Sequence, residues 1–194
     1  MQRHALLVLA TLAFVPVFVM GCGHVPVASM WKLRNADAMT VDPAIIRVAV
    51  RAPAMLVARP RGAKLIVKGR ATQSAQDFER EFVLEQDETA VEPVLLRERS
   101  TGEALTMFRI STSDVPVLRS LQAQTRSASG AKGTGSIGVK LEACRRGPLP
   151  AGPLLTTTYL KLDVDAGFVP VLAAVDLRRE LDAKQLEVEL PPCS

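Results

Sequence analysis

Histidine is almost absent from this sequence, and its absence excludes several kinds of active site. The chain of 194 residues has two histidines, His4 and His24, and none from residue 25 onwards. The folded body therefore offers no imidazole for a Ser-His-Asp triad, a Cys-His pair or a histidine zinc site. Because the commonest hydrolase mechanisms need such a group, we expect no catalysis, no metal and no cofactor.

Aromatic residues are also scarce, at 4% of the chain, although hydrophobic residues make up 48%. The core must therefore consist of Val, Leu, Ile, Ala and Met, and aromatic platforms that stack on sugars are few. No charge of one sign is concentrated either, because stretches such as Glu79-Arg80-Glu81 and Arg97-Glu98-Arg99 alternate in sign. The net charge of +4 is thus spread over solvated strand faces, and we expect no nucleic-acid partner.

One long hydrophobic run is present, from Ala5 to Met20, and it follows the basic residue Arg3. As a helix, this run of 16 residues would span about 24 Å, which is short for a hydrocarbon core of ~30 Å. Pro16 would weaken such a helix further. The run therefore predicts a cleaved signal segment and not a transmembrane anchor.

The hydrophobic run ends in Val19-Met20-Gly21-Cys22, with an aliphatic residue three positions before a cysteine and a small residue just before it. This segment resembles the lipobox of bacterial lipoproteins. The resemblance implies a diacylglyceryl group on the sulfur of Cys22 and an acylated amine, which would anchor the protein to a membrane. Residue 23 is Gly and not Asp, which in enteric-type sorting implies the outer membrane, with the protein facing the periplasm.

The two remaining cysteines, Cys144 and Cys193, are predicted to form a disulfide. Export would place them in an oxidising compartment, where an even pair usually forms a bridge. The alternative is a redox-active thiol, but the C-x-x-C spacing that lowers a thiol pKa is absent. We therefore expect a structural link that fixes the end of the chain.

Alternation of apolar and polar residues dominates the rest of the chain and predicts strands with one buried face. Strands are predicted around residues 31–34, 45–51, 64–71, 78–85, 94–99, 104–110, 137–143 and 160–165. Residues 113–128 instead have helical spacing, and a helical turn is expected after Asp176. The sequence thus predicts a mainly β fold, an antiparallel β-sandwich of about seven or eight strands with one inserted covering helix.

This pattern gives the expected domain organisation. Residues 1–21 are a signal peptide, residues 22–29 a lipidated tether, and residues 30–194 a single domain. Three short motifs in that domain, Val41-Asp42-Pro43-Ala44, Val175-Asp176-Leu177-Arg178 and Pro191-Pro192-Cys193, resemble uncharacterised proteobacterial lipoproteins. That group implies no particular activity.

Three motifs suggest chemistry, but their contexts argue against it. The G-x-G-x-x-G letters at residues 133–138 open a strand, whereas a dinucleotide site opens a helix. The S-x-x-K letters at residues 129–132 lack the partner motifs of penicillin-binding enzymes. Asp163 and Asp165 share one face of a predicted strand, but the Gly and further ligands of a calcium loop are missing.

Three functions remain after these exclusions. The leading expectation is a lipid-anchored envelope protein that acts through contact with another envelope protein, as an accessory or assembly factor. The alternative is a periplasm-facing carrier of a small apolar ligand or lipid, with a pocket between sheet and helix. The third is an enzyme that uses the two carboxylates or the Ser-Lys pair.

Overall fold

Seven antiparallel strands form one curled sheet in the computed structural model, which describes residues 40–70, 77–89, 92–125, 135–165 and 167–194. In chain order the strands are β1 (Arg47–Pro53), β2 (Leu56–Arg70), β3 (Asp77–Gln86), β4 (Glu103–Ile110), β5 (Gly135–Arg145), β6 (Leu155–Lys161) and β7 (Val169–Asp176). The helices in these ranges are short: α1 (Pro93–Arg97), α2 (Val115–Thr125), α3 (Leu177–Glu180) and α4 (Ala183–Glu189), preceded by a 3₁₀ turn (Pro43–Ile45). The predicted mainly β fold is confirmed.

The strand order across the sheet is β5-β2-β3-β4-β1-β6-β7, and every neighbouring pair is antiparallel. The sheet curls into a half-barrel whose edges are β5 and β7. The predicted two-sheet sandwich is not confirmed, because strand pairing runs without a break from one edge to the other. Alternation identifies the buried face of each strand but does not indicate whether the strands belong to one sheet or two.

A bulge in β2 bends the sheet. Residues 59–62 of β2 lie opposite the single residue Glu142 of β5, because the register shifts there. A Cβ on Gly62 would lie 2.6 Å from the carbonyl oxygen of Glu142, and Arg61 has a φ of 59°. Extra residues of this kind turn a strand and increase its twist, so the bulge contributes to the curl.

The concave face of the sheet carries the main core. Its inward side chains at one end are large and buried: Val48, Leu65, Val67, Phe82, Leu84, Phe108, Ile110 and Leu160. Helix α2 covers this end, and its Leu118 is fully buried against the sheet. The inward directions that the alternation predicts for β2 and β3 are therefore confirmed.

Helix α2 confirms the inserted covering helix in position and nearly in length. The prediction was residues 113–128, whereas the helix occupies Val115–Thr125; residues 126–128 lie outside the described ranges. Gln122, which is buried, donates from Nε2 to the carbonyl oxygen of Val41 at 2.8 Å. This hydrogen bond ties the helix to the first described turn of the domain.

The strand predicted at residues 94–99 is wrong, because this segment contains helix α1. Pro93 begins the helix, where its missing N–H is not needed. Leu95 is buried against Met107 and Tyr159 on the convex face of the sheet. A run of three apolar residues fits a strand or a helical turn equally well, so periodicity could not decide between them.

Of two other predicted strands, one cannot be compared with the structure and one is shorter than predicted at its end. The segment at residues 31–34 lies outside the described ranges. The strand predicted at residues 160–165 ends earlier, because β6 stops at Lys161 and the chain then turns towards β7. Strand β7 itself was not predicted, since it has no charged side chain before Asp176 to reveal an alternation.

Candidate binding cavity

An apolar cavity of about 250 Å³ lies inside the half-barrel, between the concave face of the sheet and helices α3 and α4. Its lining residues come from five strands and both helices: Val50, Ala52, Leu56, Val57, Ala58, Ala104, Thr106, Phe108, Leu141, Ala143, Thr156, Thr158, Leu177, Leu181, Glu189 and Leu190. This volume is slightly below the ~300 Å³ of the smallest typical ligand pockets. The cavity therefore suits a small apolar molecule or one short aliphatic chain.

Small inward side chains create the cavity. The inward positions of the half-barrel carry large residues beneath α2, but Ala52, Ala58, Ala104 and Ala143 line the other end. Ala52 pairs with Ala104 across β1 and β4, and Ala58 pairs with Ala143 across β2 and β5. Because two facing alanines fill less space than two facing leucines, the sheet is left with a hollow at this end.

The floor of the cavity has a polar strip within an apolar surface. Thr106 of β4 and Thr158 of β6 pair with Val50 of β1 from its two sides, so the three residues form one row. The hydroxyls of Thr106 and Thr158 have no hydrogen-bond partner among the residues that the structure describes. They are therefore available to a polar group of a bound molecule or to water.

The cover of the cavity begins with α3, which Asp176 fixes in place. This carboxylate caps the helix by accepting from the N–H of Arg178 at 3.1 Å, and the same oxygen accepts from the N–H of Leu154 at 3.0 Å. Such a cap satisfies N–H groups that a helix leaves unpaired. Leu177 and Leu181 consequently pack against the fully buried Leu154 and face the cavity.

Helix α4 completes the cover and begins with a capping box. Asp182 accepts from the N–H of Gln185 at 2.8 Å, while the side chain of Gln185 accepts from the N–H of Asp182 at 3.0 Å. Leu186 and Leu190 are buried on the side that packs against the rest of the cover. The local sequence thus encodes a short helix with one apolar face.

The end of β5 holds the cover by covalent and polar links. Cys144 forms a disulfide with Cys193, as the sequence predicted. The next residue, Arg145, donates from Nε to the carbonyl oxygen of Leu190 at 3.1 Å and from its N–H to that of Pro191 at 2.9 Å. The segment after α4 is therefore fixed against the edge of the sheet that borders the cavity.

The convex face of the sheet carries a polar network around Tyr159 and Lys161. The hydroxyl of Tyr159, a buried residue, donates to Glu98 at 2.6 Å. Burial, followed by the hydrogen bond to Glu98, raises the pKa of Tyr159 well above its usual value. Lys161 pairs with Glu92 at 2.8 Å. These groups are satisfied within the fold, and we assign them a structural role.

Where the structure describes them, the candidate site residues that the sequence suggested do not line the cavity. Cys22 lies outside the described ranges, as do residues 129–132 with the S-x-x-K letters. Gly135 and Gly138 of the G-x-G-x-x-G letters lie in strand β5, as predicted, while residues 133 and 134 lie outside the described ranges.

The pair Asp163 and Asp165 lies in the exposed connection between β6 and β7, and not on one face of a strand as predicted. Asp163 accepts from the N–H of Asp165 at 2.8 Å, which is a local turn contact. Within the described ranges no three His, Cys, Asp or Glu side chains are grouped to hold a metal ion. No helix in those ranges is long and apolar enough to span a membrane.

Comparison of the chain with known protein families, with curated proteins and with solved structures finds no match. The cavity is therefore interpreted from its own residues. Sequence reasoning missed these residues individually, although a signal existed: the inward positions of β1, β2, β4 and β5 change from large side chains to alanine at one end.

Proposed function

We propose that this protein binds a small apolar molecule or a short aliphatic chain in the half-barrel cavity. The observation that carries the proposal is the cavity itself, which lies beneath a capped and covalently fixed cover and is lined mainly by aliphatic side chains. Buried apolar surface supplies the binding free energy at ~0.8 kcal/mol per methylene. An octyl chain would gain about 6 kcal/mol, which corresponds to a dissociation constant of tens of micromolar.

The second part of the proposal places this carrier at the cell envelope through a lipid on Cys22. The lipobox resemblance supports it, and so does the disulfide, because disulfides persist in oxidising compartments. A Cys22→Ser variant tests it: membrane fractionation and mass analysis are expected to show loss of the lipid and of membrane association. Unchanged fractionation of this variant would contradict the anchor.

Binding is tested with octanol, a neutral probe that displaces the dye Nile red from the purified protein. Ala104→Phe is expected to abolish displacement, because the ring occupies the hollow next to Ala52. Ala151→Phe makes the same chemical change at an exposed position outside the cavity and is the matched control. Equal octanol binding by the two variants, with both folded by circular dichroism, would refute the assignment of the cavity.

The contact role that leads the sequence hypotheses is retained as a second proposal. The feature that favours it is edge strand β7, which pairs only with β6 among the described residues and exposes Leu172. An unpaired strand edge can accept a strand from another protein. Crosslinking from a photoreactive residue at position 172 in intact cells is expected to capture one partner, and a monomer-only product would contradict this role.

A further inference from the structure

The cavity has one charged group among its described lining residues, the carboxylate of Glu189. Glu189 is exposed and is the last residue of α4, so it lies on the solvent side of the cover. Its neighbour Leu190 is buried and also lines the cavity. An aliphatic molecule that fills the apolar interior must leave its polar head on the solvent side, and Glu189 is the ionisable group placed there.

No cation neutralises this carboxylate within the part of the chain that the structure describes, because no ion pair or hydrogen bond is formed by the side chain of Glu189. The guanidinium of Arg145 lies at the same helix end and keeps its positive charge, but it is held by the carbonyl oxygens of Leu190 and Gly147 and does not line the cavity. None of the described lysines or arginines lines the cavity. Glu189 thus supplies the charge that lines the described cavity, and its carboxylate can act on a bound head group.

The expected interaction follows from Coulomb attraction near a protein surface. A cation about 4 Å from a carboxylate is favoured, while an anion at the same place is disfavoured by a similar amount. Exposed pairs are weakened by water and salt. The ratio of the affinities for a cationic and an anionic ligand contains both the attraction of the first and the repulsion of the second. We therefore expect this ratio to be about fivefold to tenfold.

We propose that Glu189 makes the cavity selective for aliphatic molecules with a cationic head group, such as a primary amine, over those that end in a carboxylate. The inference rests on the proposed binding function and adds the chemical class of the ligand. It also assigns Glu189 as the residue that determines specificity.

Three probes with the same chain test this proposal: octylamine, octanol and octanoate, each titrated against Nile red at neutral pH and low ionic strength. The expected order of affinity is octylamine, then octanol, then octanoate, with about fivefold to tenfold between the first and the last. In Glu189→Gln the amine and the carboxylate are expected to bind with nearly equal affinity. Glu187→Gln removes the same charge from an exposed position of α4 that does not line the cavity, and it should keep the wild-type ratio.

The outcomes distinguish the inference from the function on which it rests. If octanol binds but the amine and the carboxylate bind equally well to the wild type, the selectivity proposal is refuted and the cavity assignment stands. The same holds if Glu189→Gln keeps the full preference. If none of the three probes displaces the dye, the proposed function itself is refuted.

Discussion

Reduction of the disulfide between Cys144 and Cys193 is expected to lower the free energy of unfolding by about 4 kcal/mol. The link joins residues separated by 49 positions, and the chain-entropy model gives roughly 4 kcal/mol at 25 °C for a loop of that length. With an m-value of about 2 kcal/mol per molar of urea, the midpoint of urea denaturation should fall by about 2 M.

The loss of stability after reduction should be larger in the cover than in the sheet. Without the disulfide, the cover is held by the burial of Leu186 and Leu190, each worth about 1.5–3 kcal/mol, and by the hydrogen bonds of Arg145, each worth about 1 kcal/mol. Ordering a residue costs about 1–2 kcal/mol in backbone entropy. We therefore expect α4 to detach locally before the sheet unfolds.

The measurement is urea denaturation of the oxidised and reduced protein, with hydrogen exchange of the α4 amides in water. A Cys22→Ser background leaves no other thiol to react. In the reduced state the amide of Leu190, which donates to the carbonyl of Leu186 at 3.0 Å, should exchange faster than the amides of β1. A midpoint that changes by less than about 0.5 M, with unchanged exchange in α4, would show that the disulfide does not hold the cover.

Three further predictions follow from buried groups and close approaches. Leu118→Ala should lower the free energy of unfolding by about 2–5 kcal/mol, because it leaves a cavity under α2. Val117→Ala, at an exposed position of the same helix, should change this free energy by less than about 0.5 kcal/mol. Equal values for the two variants in thermal denaturation would contradict the placement of the helix. Gly62→Ala should cost about 1–3 kcal/mol because its Cβ meets the backbone of β5, while Gly152→Ala, which meets no atom within 4 Å, should be nearly neutral. Tyr159 is the one tyrosine of the chain, so absorbance titration reports it directly. The pKa of Tyr159 is raised in the folded state. Its contribution to the free energy of unfolding should therefore be fully present below pH ~10, the usual tyrosine value, and should be lost as the pH rises above it. A phenolate signal that appears near pH 10 in folded protein would refute the buried hydrogen bond.

Much of the local structure could be predicted from the sequence, because alternation is a property of single strands. The inward directions of Leu65 and Phe82, the helix around Leu118 and the link between Cys144 and Cys193 are all confirmed. The first two predictions depend on the pattern of a short segment. The third depends on there being two cysteines left to pair once Cys22 is assigned to the lipid.

The arrangement of the strands could not be predicted, because it depends on contacts between distant segments. A curled sheet buries its concave face against its own helices, so its strands have the same pattern as the strands of a sandwich. The cavity depends on the facing of Ala52 with Ala104 and of Ala58 with Ala143. Such pairings appear only when the register across the sheet is known. Residue types alone therefore predicted a pocket between the sheet and the covering helix, whereas the cavity lies under α3 and α4.

The place of β1 in the sheet has a consequence for how the protein folds. Although β1 is the first of the described strands, its neighbours are β4 and β6, and Arg47 at its start lies opposite Lys161. The hairpins β2–β3 and β6–β7 join consecutive strands, so they can form early. The middle of the sheet must wait for residues far along the chain, and loop closure over such distances is slow. A newly made chain thus keeps the unpaired edges of β1 exposed until β4 and β6 have been synthesised, and during that interval it needs protection from aggregation.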